Sequence, residues 1–431
     1  MTARHQLPSS GSPITRRNLL RAGTACVVGS GLAPKAAAVH LGRRPKLRVL
    51  GTHVTLQEII RQRAEADLGI EIEFIPGGSA EVLQTASTYP EAFDIYEQWS
   101  NSIEILWQAD AIQRIDSRRI QRWSEVNDLC KQGRLSPDDK IGAGASPHGM
   151  LYAQPDGQLG SRATDHLSFL PYVHNVDSFG YDRQIVPEGR PYEEESWSWL
   201  LDPQWKGKVA IVNEPTIGLF DLALACKSKG LVKIEDIGEI TRPELDELFE
   251  VLAKFRRDGQ FSGFWNSVPH SIELMRSGRS ALSSMFSPAV ATLNGEGRDI
   301  LYAAPKEGYR AWHGVMCVSS QTKDETLDAA YKYMNWWLEG WPGALMARQG
   351  YYISTPDRSR EFMGDGEWGY WYGGEETPKD LQGPDGRTSV RAGSTRRGGS
   401  YTERFGNVAV WNTVMDSYEY SLGRWYSLLA A

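Results

Sequence analysis

The residues of this chain that could engage a small molecule gather where apolar runs give way to polar turns. Glu214 and Thr216 follow the continuous apolar run Val209-Ala210-Ile211-Val212, and Trp99-Ser100-Asn101 follow Phe93-Asp94-Ile95-Tyr96. Thr52, His53 and Val54 join the strand-like KLRVLG of Lys46 to Gly51 to Thr55-Leu56-Gln57-Glu58, whose spacing predicts a capping box at a helix start. Free N–H groups at such a start favour oxygen-bearing ligand groups. Phe286-Ser287-Pro288 closes the run from Ser280 to Met285 in the same manner. Rings, hydroxyls and a carboxylate placed at strand ends suit non-covalent capture in a cleft. Bond-breaking chemistry has no comparable footing. There is no G-x-S-x-G, H-E-x-x-H or Walker A pattern, and the eight histidines are scattered without ligand spacing. Glu193-Glu194-Glu195 reads as a solvated loop rather than a glycosidase pair, which needs two acids facing across a cleft.

These turns require a scaffold, and the pattern supplies an α/β one. Val209 to Val212 reads as a strand buried on both faces, entered from the apolar cluster Trp197, Trp199, Leu200 and Leu201 through the turn at Asp202-Pro203. Ile70-Glu71-Ile72-Glu73-Phe74 alternates as a second strand, and Gly69 before it suits a helix C-terminus. Thr241 and Glu244 form a capping box for a helix to Arg257, with Leu245, Leu248, Leu252 and Phe255 on one stripe. Val408 to Leu429 has apolar residues at helical spacing. From about Asp357 to Arg404 the composition shifts to Gly, Arg, Ser and Pro, which predicts an irregular excursion able to offer a partner surface.

At 431 residues, 41% hydrophobic and 23% charged, the chain suits two domains. Its first 38 residues carry five basic side chains, no acidic one, paired Arg16-Arg17 and the small-residue run Ala36-Ala37-Ala38. That pattern predicts a twin-arginine export signal at 1–38. The rest holds 42 basic against 54 acidic side chains, an acidic balance that disfavours nucleic acid and anionic membrane surfaces. Cys130, Cys226 and Cys317 show no metal spacing. Cys226 and Cys317 read as buried thiols, and the pattern leaves open whether Cys130 joins a disulfide.

The pattern W-x-x-L-x-D-P-x-x-K-G-K-V-A-I beginning at Trp197 resembles bacterial extracellular solute-binding proteins of ABC transporters, most closely the spermidine/putrescine-binding type. The resemblance extends collinearly through L-G-I-x-I-x-F from Leu68, F-D-I from Phe93, A-I-Q-x-I-D from Ala111, P-K-E-G from Pro305, the helix around Asn335-Trp336 and Gly350-Tyr351. It implies a two-lobed periplasmic-binding-protein fold of type II, with mixed sheets flanked by helices and joined by hinge strands. Lobe 1 is expected at 46–172 plus 313–362, and lobe 2 at 173–312 plus 363–431. It further implies a small-molecule ligand, permease subunits as partners, contact with an inner-membrane complex, a monomer in the periplasm, and neither cofactor nor catalysis.

Carried over position by position, the resemblance keeps the family's rings at Trp99, Phe286, Trp312 and Tyr351. It finds Thr52, Val54, Gly218 and Gly314 where acids or aromatics are expected, with Glu214 as the nearest carboxylate. Thr52, His53, Trp99, Ser100, Glu214, Thr216, Phe286, Trp312, His313, Tyr351 and Arg404 are thus the expected ligand-binding set, with no metal. The expected solute is polyamine-like or a related organic ion, smaller or less cationic than spermidine. A ferric-iron or thiamine-type binding protein of the same fold is the alternative, and a secreted hydrolase a more distant one.

Overall fold

The computed structural model describes residues 44–431. The twin-arginine segment expected at 1–38 lies outside them. Strand β1 (Lys46–Gly51) leads into helix α1 (Glu58–Leu68), which ends at Gly69 with φ 66°, and strand β2 (Glu71–Pro76) returns parallel to β1. Helix α2 (Ser79–Thr88) then precedes β3 (Ile95–Trp99), also parallel to β1. The expected capping box at Thr55 and Glu58 does not form. Gln57 is the N-cap of α1, and no side chain caps it. Thr55 is buried, and its hydroxyl lies 3.0 Å from that of Tyr172. A buried hydroxyl requires a partner, and this one finds it in the core rather than at the helix end.

Two long strands organise the remainder of the chain. Strand β4 (Leu170–Asp182) is buried at all thirteen positions. After it come β5 (Val209–Val212), α3 (Pro215–Ser228), α4 (Arg242–Arg257), β6 (Phe261–Trp265), β7 (Leu282–Met285), α5 (Ser287–Gly295) and β8 (Ile300–Tyr302). Strand β9 (Tyr309–Ser319) is again buried throughout. It pairs antiparallel with β4 from Leu170↔Met316 to Asp177↔Arg310, with a register irregularity between Pro171 and His174. Each strand also pairs with a further neighbour. Residues Ser178 to Tyr181 of β4 pair with β7, and residues Gly314 to Val318 of β9 pair with β3. The resulting order β6-β5-β7-β4-β9-β3-β1-β2 makes a two-lobed α/β body whose lobes share two crossing strands.

The apolar packing respects this division. One core gathers Leu47, Val49, Ile95, Val315 and Met316 with helix α6 (Asp324–Trp337), and a second gathers Phe179, Val209, Ile211, Leu245, Leu248 and Trp425. The capping box at Thr241 and Glu244 is formed. Helix α3 departs from an amphipathic pattern, being buried from Gly218 to Cys226 because it is wedged inside the second core.

The segment between 357 and 404 is mostly irregular, yet it is anchored by rings. Trp371 and Tyr372 from it, with Tyr401 and Phe405 of the short helix α7 (Tyr401–Phe405), pack on Tyr352 and against the crossing strands. Val408 to Leu429 is not one helix. Strand β10 (Val408–Trp411) pairs parallel to the start of β9, and helix α8 (Tyr418–Ala430) begins only after a loop. The alternation of Val408 and Val410 meets a free strand edge, and this pairing overrides the helical spacing. Cys130, Cys226 and Cys317 are buried free thiols. Among the described residues no helix is long and apolar enough to cross a membrane.

Glu97, at the end of β3, is fully buried, and the Tyr172 hydroxyl donates to its Oε2 at 3.1 Å. Burial pushes its carboxyl up to about 7, with hydrogen bonds opposing in part. A carboxyl whose folded-state value is raised costs stability as pH climbs from its unfolded to its folded value, here a loss on the order of 3 kcal/mol between about pH 4.5 and 7. Urea unfolding at pH 5 and pH 8 is expected to show a decline that is smaller in Glu97→Gln than in the wild type by about 2–3 kcal/mol, the remainder coming from other buried carboxyls.

Candidate functional site

The crossing strands bring four rings and one carboxylate to a narrow cavity. Trp99 comes from the end of β3, Phe286 from the turn between β7 and α5, Trp312 from β9, and Tyr351 from just before the short strand Tyr352–Ile353. Trp99 and Trp312 pack edge to face at 4.7 Å between centroids, and Trp312 and Tyr351 at 5.6 Å. Val54, Ile217, Asp177 and Asn412 complete the wall around about 40 Å³.

Asp177 is the carboxylate among these lining residues, and it sits on β4 opposite Arg310 of β9. Arg310 Nη1 lies 3.6 Å from Asp177 Oδ2, while its Nε donates to Asp221 Oδ1 of α3 at 2.8 Å and its Nη1 to Asn412 Oδ1 at 3.1 Å. The Tyr302 hydroxyl donates to Asp177 Oδ1 at 3.2 Å. All three charged groups are buried. Burial pushes the Asp177 carboxyl up to about 6 against the pull of Arg310, and burial likewise raises Asp221. Two acids around one guanidinium leave a single net negative charge when both are ionised. Held beside several rings, that charge suits a cationic group, since ring faces attract cations and an acid supplies the countercharge.

The other expected site residues fall elsewhere. Thr52 is buried, and its backbone carbonyl accepts from Leu56 N–H at 3.2 Å, while His53 is exposed. Ser100 is buried at the start of a short 3-10 turn. Glu214 is the N-cap of α3, accepting from Thr216 N–H at 3.3 Å and the Thr216 hydroxyl at 3.0 Å, so these two satisfy a helix end rather than line the cavity. His313 follows Trp312 on β9 and turns to the opposite face, as strand alternation requires. It is fully buried, stacked on His174 at 4.7 Å, with Nε2 against Cys130 Sγ. Burial lowers His313 to about 4 and raises the Cys130 thiol, so the pair is neutral and unsuited to nucleophilic work. Arg404 is buried in a separate cavity.

Tyr351 and Tyr352 also point apart. The first lines the cavity, and the second packs on Tyr401 at 4.6 Å. They do not share a ligand position, and among the described residues no group of three or more His, Cys, Asp and Glu side chains is placed to hold a metal. Four lining residues fall outside the expected set: the apolar Val54 and Ile217 and the polar Asp177 and Asn412. A partial signal is present in His174-Asn175-Val176-Asp177-Ser178, four polar residues inside a fully buried strand, although it does not say which of them faces the cavity.

A family model of bacterial extracellular solute-binding proteins matches residues 59–368, more than half of the chain. The chain belongs to that family. Several solved structures share the fold of this solute-binding protein. The TpPotD lipoprotein of Treponema pallidum matches with a TM-score of 0.61 at 10% identity, covering 90% of this chain and 100% of that one. The spermidine/putrescine ABC transporter substrate-binding protein PotD of Streptococcus pneumoniae matches with 0.59 at 15%, covering 90% and 98%. AgtB of A. tumefaciens, in complex with agropinic acid, matches with 0.54 at 12%, covering 90% and 99%. No curated protein sequence matches significantly.

The Asp177–Arg310–Asp221 arrangement gives this solute-binding protein a clear vulnerability. Replacing Arg310 with Met leaves two buried acids without their cation, and equilibrium unfolding should register a loss of about 3–5 kcal/mol near neutral pH. The deficit should shrink in acid, where both carboxyls are protonated.

Proposed function

We propose that this solute-binding protein serves an ABC importer and captures a small organic solute with one cationic head. The observation that carries this reading is Asp177, a buried carboxylate facing a cavity walled by Trp99, Phe286, Trp312 and Tyr351. A single net charge in the buried triad matches one ammonium better than the several of spermidine. With about 40 Å³ between the walls, a solute enters when the lobes part about β4 and β9, and contacts from both lobes then favour closure. The closed form is the state a permease recognises. The fold neighbours, among them a spermidine/putrescine transport protein and a protein in complex with agropinic acid, agree with a small charged solute without fixing which one.

Calorimetric titration with putrescine, spermidine, glycine betaine and succinate tests the reading. At least one of the three solutes bearing a cationic group is expected to bind, with affinity falling roughly tenfold between pH 7.5 and 5 as Asp177 gains its proton. Asp177→Asn should abolish that binding. It leaves Arg310 paired with Asp221, so the fold should persist. Failure of all three cationic solutes to bind, or cation binding indifferent to Asp177→Asn, would overturn the proposal.

In the same reading the protein works as a periplasmic monomer delivered through the twin-arginine route. Replacing Arg16 and Arg17 together by Lys should leave precursor in the cytoplasm, as read by fractionation and immunoblotting. Processing that continues undiminished would instead assign export to another route.

A further inference from the structure

A second cavity, of about 230 Å³, lies behind the wall of the cleft, between α5 with β8 and the segment around 389–397. Arg396 and Arg404 both line it, and both are more than nine-tenths buried. Their hydrogen bonds go to neutral groups. Arg396 donates to the carbonyls of Trp371 at 3.1 Å and Gly350 at 2.7 Å, and it lies over the rings of Tyr352 and Trp371. Arg404 donates to the Arg397 carbonyl at 2.6 Å and makes longer contacts with the Tyr309 hydroxyl and the Val176 carbonyl, while its Nε is unpartnered among the described residues.

The three other arginines of the wall each have an acid. Arg298 has Asp182, Arg391 has Asp380, and Arg397 has Glu188 and Glu195. Asp299, the carboxylate in the wall, is already engaged by Arg183. Two buried guanidiniums therefore carry positive charge with no acid against them, which is costly unless a counterion supplies the missing charge. Burial, with the nearby charge of Arg404, already pulls the Arg396 guanidinium below its ordinary value. The planar forks of arginine match the oxygen spacing of carboxylate and phosphate, and the hydroxyls of Ser389, Ser394 and Thr395 add neutral donors.

We propose that this cavity is a binding site for a small dianionic oxyanion, a phosphate or a dicarboxylate, held between Arg396 and Arg404. The site is separate from the cleft but borders it. Gly350 and Ser287 line the anion cavity, while their neighbours Tyr351 and Phe286 line the cleft. It stands on its own observations and does not require the cationic solute proposed above.

Titration of the exported full chain with inorganic phosphate and with succinate, at constant ionic strength, tests it by calorimetry and by the unfolding midpoint. At least one anion is expected to bind and to raise the midpoint, and the arms distinguish phosphate from dicarboxylate. Arg396→Gln should weaken binding by roughly tenfold or more, since it removes a charged fork. Without anion it should unfold no earlier than the wild type, because it also removes an uncompensated buried charge. Arg396→Lys, which keeps the charge but loses the fork, should weaken binding to a smaller degree and serves should the Gln variant fail to fold. Arg119→Gln, at an exposed arginine paired with Asp328 and outside the cavity wall, should bind as the wild type does. No response to either anion at about 10 mM, or binding that both Arg396 variants retain in full, overturns the proposal.

Discussion

The burial of Arg310 of β9 between Asp177 of β4 and Asp221 of α3 is the constraint around which the crossing strands are arranged. It sits where β4 and β9 cross between lobes, and Arg310 reaches on to Asp221 of α3. Slipping the register by one residue would turn each side chain to the other face and leave buried charges without partners. The triad therefore specifies alignment of the crossing strands, couples them to the second core, and sets the charge seen from the cleft. Its contribution to net stability is a weaker argument than its contribution to specificity, since two acids and one base carry a desolvation cost that apolar residues would not.

That constraint explains why the cleft's acid stands on a hinge strand and not in the turns. A side chain at Gly218 would collide with the Val212 carbonyl and with Trp425, and one at Gly314 with the Val173 carbonyl on the neighbouring strand. At both positions close packing excludes the acid that resemblance to polyamine binders had led one to expect there. The negative charge instead enters through β4, in a stretch where neighbouring polar residues His174 and Asn175 are also buried. The cleft thus keeps a carboxylate among its rings while departing from the family pattern in where that carboxylate is rooted.

Much of the framework could be read in advance from local rules. The alternation in β2, the apolar run of β5, the cap at Thr241 and the rings at Trp99, Phe286, Trp312 and Tyr351 each declare themselves by spacing or motif. The features that escaped such rules depend on partners far away in the chain. Thr55 looks like a cap until Tyr172 claims its hydroxyl, Val408 to Trp411 looks helical until the edge of β9 pairs it, and Arg404 looks like a cleft residue until it is found buried over the Tyr309 ring. Asp177 was hidden differently, because a polar residue in a long strand gives no local sign of whether it faces core, cleft or partner.

The ring-rich layer contributed by the 357–404 segment and α7 has a mechanical side. His174 of β4 is sandwiched among His313, Tyr352, Tyr401 and Phe405, and its Nε2 is hydrogen bonded to the Tyr401 hydroxyl at 2.8 Å. A bare pair of crossing strands can flex as a thin leaf, whereas a pair laminated on one side by interlocked rings bends only if those rings slip past one another. In a lobe closure that pivots on these strands, bending toward the covered side would have to displace those packed rings, whereas bending away from it would not.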